Sequence, residues 1–230
     1  MSFSSTTAHK SPRLVLDDIY AFPPNRETLG GTAYLIIGTN HGGERKNLLI
    51  DAPAWNPENQ QFIAEQGGVH QLIITHRGGI GQSKQIQASL NCEVLIQEQE
   101  AYLLPQTPVT PFQSRASISD SIQILWTPGH TPGSSCIYYQ NHDGVLFTGR
   151  HLLPTAKQIV APLRFAKTFH WKRQLRQVQR LKEEFSPNTL SYFCPGANTG
   201  FLRGQRYIDD AYSRLQAIDI DALAYTEPLL

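Results

Sequence analysis

Short apolar runs separated by turn-rich segments dominate the first half of the chain. They predict strands at 14–19, 32–37, 47–51, 71–75 and 92–96. Apolar residues at helical spacing predict helices at 57–66, 82–90 and 98–104. A proline lies near the start of the first helix and Pro105 closes the last, which are the positions that proline tolerates. This half therefore alternates strand with helix.

The second half repeats the order of strands followed by helices. Strands are predicted at 121–126, 135–139, 145–147 and 190–194, and helices at 171–185 and 206–218. The first of these helices has an apolar stripe, formed by Trp171, Leu175, Val178, Leu181 and Phe185. Recurrence of this order predicts two sheets packed face to face with helices outside. The predicted fold class is α/β (α+β), a four-layer αβ/βα sandwich.

Length and composition are those of an ordinary globular protein. The 230 residues are 40% hydrophobic and carry a formal net charge of +1, which excludes a chain-wide electrostatic attraction to nucleic acid or an anionic membrane. We expect a flexible N-terminus at 1–12, a single domain at 13–220 and a C-terminal tail at 221–230. Three separated cysteines and the lack of an apolar run of about 18 residues favour a soluble, cytoplasmic protein without a membrane partner.

Six short motifs follow one another through residues 31–200. They are GTAYLI at 31–36, LID at 49–51, IITH at 73–76, TPGHTPGS at 127–134, LFTG at 146–149 and CPG at 194–196. In this order they resemble the landmarks of the metallo-β-lactamase fold superfamily. The resemblance implies hydrolase ancestry and the same four-layer fold. It also implies a cleft at the edge of the sheets, formed by the loops after Thr75, Thr127, Thr148 and Pro195.

The resemblance further implies a dinuclear metal site, most of whose ligand positions are changed here. Active relatives carry THxHxDH where this chain reads Thr75-His-Arg-Gly-Gly-Ile-Gly81. His76 keeps the first ligand position and His130 matches the third histidine of the family. The bridging aspartate is replaced by Arg150, whose guanidinium cannot ligate a metal. The histidine of the family's PGH motif is also missing, with Asn198 one position out of register.

These losses predict a dismantled site, and therefore a non-catalytic binding or scaffolding protein with no cofactor. The sequence accordingly favours a protein without enzymatic activity. One alternative is a mononuclear hydrolase or lyase that binds zinc, iron or manganese through His76, His130 and a third group such as His151 or Asp51. A second alternative is a metal-free enzyme with a histidine general base and with Arg150 stabilising an oxyanion.

Arg150 also suggests two alternative states of the cleft in which the family's metal site would lie. It could form a cationic pocket for a small anionic molecule such as a phosphate, carboxylate or sulfate. Alternatively, it could pair with a buried carboxylate and plug the old site. The predicted cleft residues are His76, Arg77, Gly78, Gly79, His130, Arg150, His151, Asn198 and Asp51.

The segment 164–182 is strongly basic, with seven Lys or Arg and no Asp or Glu. On an amphipathic helix the charges must largely face solvent. The usual meaning is a solvated face, and the alternative is docking to an acidic partner protein. Nucleic acid is a minor option, because aromatic residues are not interleaved with the charges. The docking candidates are Lys172, Arg173, Arg176 and Arg180.

Overall fold

A computed structural model describes residues 10–38, 46–156 and 158–229. Most of the predicted flexible N-terminus, residues 1–9, lies outside the described residues. The α-helices in the described part are α1 (Pro57–Glu65), α2 (Ser83–Leu90), α3 (Trp171–Glu184), α4 (Ala211–Gln216) and α5 (Ile220–Ala224). Short 3-10 helices occur at Arg77–Gly79, Glu98–Leu103 and Thr199–Leu202. No described helix combines the length and the apolar character that crossing a lipid bilayer requires.

The first sheet has seven strands in chain order. They are β1 (Arg13–Leu16), β2 (Ile19–Ala21), β3 (Tyr34–Ile36), β4 (Leu48–Ile50), β5 (Gln71–Ile74), β6 (Glu93–Gln97) and β7 (Thr110–Phe112). Strands β1 to β4 pair antiparallel, and β4 to β7 pair parallel. The helix α1 connects β4 to β5 and α2 connects β5 to β6, as parallel pairing requires.

The second sheet has five strands, β8 (Arg115–Ser117), β9 (Ile122–Trp126), β10 (Ser135–Tyr139), β11 (Val145–Gly149) and β14 (Tyr192–Pro195). Their spatial order is β14-β11-β10-β9-β8, and only the β11–β14 pair is parallel. A separate hairpin joins β12 (Leu153–Ala156) to β13 (Ile159–Ala161). The long connection through α3 therefore brings β14 alongside β11.

Three buried apolar clusters define the layers. The cluster between the sheets contains Ile50 and Ile73 from the first sheet and Ile137 and Phe147 from the second. Leu49, Leu72 and Ile74 point to the other face of the first sheet and pack with Ile63 of α1 and Ile86 of α2. The outer face of the second sheet packs against α3 and α4 through Leu125, Cys136, Val178, Leu181 and Leu215. Because successive strand residues face opposite sides, these sets establish the four-layer αβ/βα sandwich.

The fold class predicted from the sequence is therefore confirmed, while several individual elements differ. The helix expected at 206–218 is confined to Ala211–Gln216, because Ile208 pairs with Phe193 and Asp210 has a left-handed backbone. The hairpin of β12 and β13 was not predicted. Within the segment predicted as a C-terminal tail, the Leu229 amide donates to Arg164 O at 2.6 Å.

The amino terminus of α1 offers a local test of stability. The Asn56 side chain accepts a hydrogen bond from the Asn59 amide at 2.9 Å, which satisfies one of the free donors of the first turn. We expect Asn56→Ala to lower the free energy of unfolding by about 1 kcal/mol, measured by urea denaturation. Asn56→Asp keeps an acceptor and serves as the control. Equal losses in both variants would contradict the capping role.

Candidate functional site

The candidate site lies at one edge of the two sheets, where loops leave neighbouring strands. Asp51 follows β4, and Thr75 and His76 follow the adjacent parallel strand β5. Arg150 follows β11 of the second sheet, and His130 lies in the connection from β9 to β10. Parallel strands end at a common edge, which explains why residues far apart in the chain meet here.

A chain of hydrogen bonds links Asp51, Thr75 and His76. The carboxylate of Asp51 accepts from the Thr75 amide at 2.7 Å and from its hydroxyl at 2.6 Å. The same hydroxyl oxygen lies 3.0 Å from Nδ1 of His76. Because the Thr75 hydrogen is already donated to Asp51, Nδ1 of His76 carries the hydrogen in this contact. Nε2 of His76 is then left as a bare acceptor, and it has no hydrogen-bond partner.

Asp51 itself sits in an unusual environment. It is buried, with only 5% of its surface exposed, and its backbone adopts a left-handed conformation with φ 58°. Burial raises the pKa of the carboxyl group to about 6, although the hydrogen bonds from Thr75 act in the opposite direction. Asp51 thus changes charge close to neutral pH.

The rings of His76 and His130 lie edge to face with their centroids 5.6 Å apart. Burial lowers the pKa of His76 well below its ordinary value, and the charges of His130, Arg150 and Arg77 lower it further. Burial, followed by the charges of the same two arginines, lowers the pKa of His130 to about 4. Both imidazoles are consequently neutral at neutral pH, the form that accepts a proton.

His151 is a third imidazole in this region and, like His76, is buried. Neither of its ring nitrogens has a hydrogen-bond partner, and its main-chain carbonyl accepts from the buried side chain of Gln174 at 3.0 Å. Burial, with a smaller effect from His130, lowers the pKa of His151 to about 3. Gln174 was not singled out in the sequence, because a glutamine inside a helix carries no distinctive pattern.

Arg77 has a partner that sequence reasoning missed. Its Nε donates to Oε1 of Glu100 at 3.0 Å, and the Glu100 side chain is completely buried. Oε2 of Glu100 has no hydrogen-bond partner. Nothing in the sequence around 98–103 distinguishes this carboxylate from the exposed ones beside it.

The hypothesis that Arg150 plugs the site by pairing with Asp51 is not what the structure shows. Nη2 of Arg150 donates to the carbonyl oxygens of Thr28 and Leu29, at 3.0 and 2.8 Å. The nearby Asp51 carboxylate is instead held by Thr75. Arg150 therefore anchors to the loop after β2 and forms no direct ion pair with a described carboxylate, although the charge of Asp51 still acts on it at longer range.

Gly78 and Gly79 are packed tightly against the other site residues. A β-carbon on Gly78 would lie 2.9 Å from Nε2 of His76, and one on Gly79 would lie 2.2 Å from Oδ1 of Asp51. The Gly79 carbonyl also accepts from the Ala52 amide at 2.9 Å. Side chains at these two positions would occupy the volume that His76 and Asp51 now fill.

Asn198 follows β14 and lies beside Arg150. Its side-chain amide donates to the Pro154 carbonyl at 3.2 Å, and its backbone is left-handed with φ 57°. Together with Arg150 it lines a cavity of about 360 Å³. The structure thus assembles the predicted residues as two groups, one around His76 and Asp51 and the other around Arg150 and Asn198.

A metal ion, which the fold implies, does not fit the side chains present. In the described ranges 10–38, 46–156 and 158–229, no group of three or more His, Cys, Asp or Glu residues could hold a metal. His76 offers a free Nε2, but Gly78 and Gly79 follow it and the carboxylate of Asp51 is engaged by Thr75. We therefore derive no chemical step through a metal.

The basic segment forms an exposed stripe on α3. Lys172, Arg176 and Arg180 are four residues apart and exposed, and none forms an ion pair with another described residue. Arg173 differs, because its guanidinium lies over the ring of Trp126, 4.8 Å from the centroid. Docking of an acidic protein partner on this stripe stays a prediction.

Neither a model of a known protein family nor a curated protein sequence matches the chain. Solved structures do match it. The DIM-1 metallo-β-lactamase has 12% identity and a TM-score of 0.67, with 94% of this chain and 97% of that chain covered. TTHA1623 in a di-iron-bound form has 22% identity and a TM-score of 0.56, covering 74% and 88%. A quorum-quenching N-acyl homoserine lactone lactonase has 15% identity and a TM-score of 0.53, covering 77% and 90%.

These similarities establish that the chain has the metallo-β-lactamase fold. They also correct the functional interpretation, because the prediction of a non-catalytic binding or scaffolding protein is wrong as it stands. That prediction relied on lost metal ligands alone. The similar structures are a lactamase and a lactonase by their titles, and this cleft retains an oriented, neutral imidazole. Replacement of ligands therefore does not indicate loss of catalysis.

Proposed function

We propose that this protein is a hydrolase that acts on ester or lactone bonds at the cleft around His76. The observation that carries the proposal is the chain from Asp51 through Thr75 to His76, which leaves the buried Nε2 of His76 without a hydrogen-bond partner. A carboxylate that orients an imidazole through a hydrogen bond is a recurrent way to prepare a general base. Here the Thr75 hydroxyl stands between the two groups.

The proposed reaction needs only water and this chain of residues. Nε2 of His76 takes a proton from a water molecule as its oxygen attacks the carbonyl carbon of the substrate. The Thr75 hydroxyl and the Asp51 carboxylate stabilise the resulting imidazolium. The imidazolium then returns the proton to the departing alkoxide as the bond between carbon and oxygen breaks. The base is regenerated, and one water molecule is consumed.

Two further findings support this proposal. The lowered pKa of His76 keeps its ring neutral, so the general base is in its active form at neutral pH. The lactonase among the similar structures makes esters and lactones the substrates to test first. That the protein contains no cofactor remains a prediction, as does the alternative with zinc, iron or manganese.

Hydrolysis of p-nitrophenyl esters and of aliphatic lactones tests the proposal. We expect His76→Gln to lower kcat/KM about a hundredfold, because the free Nε2 is lost. Thr75→Val should lower it about tenfold while retaining most of the side-chain volume. The exposed His70 provides the matched control, and His70→Gln should leave the rate unchanged.

The pH dependence of the hydrolysis rate distinguishes a catalytic role of these residues from a purely structural one. Because the pKa of Asp51 is raised to about 6, acidification through that value neutralises the carboxylate. We therefore expect the rate to fall below about pH 6 in the wild type, and this step to disappear in Thr75→Val. Turnover that survives in a folded His76→Gln variant, or stoichiometric metal in the purified protein that is lost in the His76→Ala, His130→Ala double variant, would overturn the proposed mechanism.

A further inference from the structure

The cavity of about 360 Å³ beside Arg150 has two chemically different walls. Its polar side carries Arg150 and Asn198. The rest is lined mainly by apolar side chains, namely Pro24, Leu29, Leu153, Phe165 and Ala197. This volume lies near the lower end of the range for small-molecule sites, so it suits a ligand of modest size.

Arg150 brings to this cavity a positive charge that forms no direct ion pair among the described residues. Its residue surface is partly buried, its Nε is buried without a hydrogen-bond partner, and no described carboxylate lies within ion-pair distance. The other cleft arginine, Arg77, is already paired with Glu100. The charge of the nearby Asp51 acts on the guanidinium, but that carboxylate is hydrogen-bonded to Thr75, so an anionic ligand would give Arg150 a direct partner.

The position of the guanidinium is fixed before any ligand binds. Both hydrogen bonds to the loop after β2, to Thr28 and Leu29, are made by Nη2. Nε is buried, and neither Nε nor Nη1 has an acceptor among the described residues. Both pairs of parallel N–H donors in a guanidinium include Nη2, which already holds two carbonyl groups, so Nη1 is the donor that remains for an anion in the cavity.

The cavity is also connected to the proposed general base by a row of rings. Phe165, which lines the cavity, lies 6.0 Å from the ring of His130, and His130 lies 5.6 Å from the ring of His76. The ring of His130 thus lies between Phe165 at the cavity wall and the ring of His76.

We propose that this cavity binds an organic monocarboxylate with a small apolar body, with the carboxylate on Arg150 and the apolar part against Leu153 and Phe165. This inference rests on the proposed function, since it names the substrate class as esters or lactones that carry a free carboxylate at the far end. Inorganic anions lack the apolar part and should bind more weakly.

Binding is tested with non-hydrolysable probes, so that the result does not depend on turnover. Calorimetry should give benzoate a Kd at least tenfold lower than those of acetate and inorganic phosphate, and no binding for the uncharged analogue benzamide. Arg150→Gln should weaken benzoate at least tenfold, and Arg150→Lys should weaken it less, because the charge remains. Arg203→Gln is the matched control, because Arg203 is exposed and does not line the cavity.

The outcomes distinguish the two proposals. Equal affinities for phosphate, acetate and benzoate would overturn the monocarboxylate class, and so would unchanged benzoate affinity in a folded Arg150→Gln variant. His76→Gln should bind benzoate as the wild type does. Benzoate binding without hydrolysis of any ester or lactone would contradict the proposed function and leave the ligand class standing. Hydrolysis that prefers neutral esters would contradict only the ligand class.

Discussion

Replacing Gly79 with alanine is expected to destabilise the folded protein by about 3 kcal/mol or more. The new β-carbon would lie 2.2 Å from Oδ1 and 2.5 Å from the carboxyl carbon of Asp51. Asp51 cannot move away freely, because it is buried and holds both the amide and the hydroxyl of Thr75. The substitution must therefore break these hydrogen bonds or displace the loop that carries Gly79.

Urea denaturation measures this loss, and Gly200→Ala is the matched control. A β-carbon on Gly200 would meet no atom within 4 Å, and Gly200 has no positive φ. Its replacement should change the free energy of unfolding only slightly. If Gly79→Ala were as stable as Gly200→Ala, the close packing of the glycine against Asp51 would be wrong.

Acidification is expected to destabilise the protein by about 3 kcal/mol or more between pH 7 and about pH 4.5. In the unfolded chain histidine takes up a proton below about pH 6.5, whereas burial lowers the pKa of His130 to about 4 and that of His151 to about 3 in the folded protein. The unfolded state therefore binds more protons as the pH falls, and stability decreases. His76, whose pKa is also lowered, changes stability in the same direction.

Asp51 opposes this trend. Its pKa is raised to about 6, so the folded protein binds this proton more readily than the unfolded chain does. Between pH 7 and about pH 4.5, protonation of His130 and His151 lowers the free energy of unfolding by about 5 kcal/mol together. Protonation of Asp51 raises it by about 2 kcal/mol. The net loss from these three groups is therefore about 3 kcal/mol, and His76 adds to it.

Denaturation by urea at the two pH values checks this expectation. His151→Leu removes a buried imidazole that has no hydrogen-bond partner, so the variant should fold and should lose about 2 to 3 kcal/mol less on acidification. His70→Gln, at an exposed position, should show the wild-type pH dependence. An acid response that is identical in wild type and His151→Leu would contradict the neutral, buried state of this histidine.

The sequence determined the layered fold because its signals are local and repeated. The continuous apolar run of β5 is typical of a strand buried on both faces, and both of its faces are covered in the structure. The amphipathic stripe of α3 predicted which side packs on the second sheet, and Val178 and Leu181 are buried there. The order of the six motifs predicted the metallo-β-lactamase fold, which the similar structures confirm.

Elements without such a pattern were missed. Strands β7 and β8 have three residues each and are largely exposed, so they show neither an apolar run nor a clear alternation. Residues 206–210 were assigned to the last helix, but Ile208 is held by backbone pairing with Phe193. Tyr, Ile and Asp have little helical preference, so pairing with a distant strand decides the local structure there.

The sequence by itself determined which residue types the cleft holds, and the tertiary structure alone decided how they are connected. Adjacent positions in the chain placed Thr75 beside His76, but only the parallel pairing of β4 with β5 brought Asp51 onto Thr75. Arg150 donates hydrogen bonds to the carbonyl groups of Thr28 and Leu29, which are 122 and 121 residues away in the chain. Hydrophobic periodicity reports which face of an element is buried, whereas such contacts depend on how separate elements pack. The chemistry proposed for this site therefore follows from the packing of loops at one sheet edge.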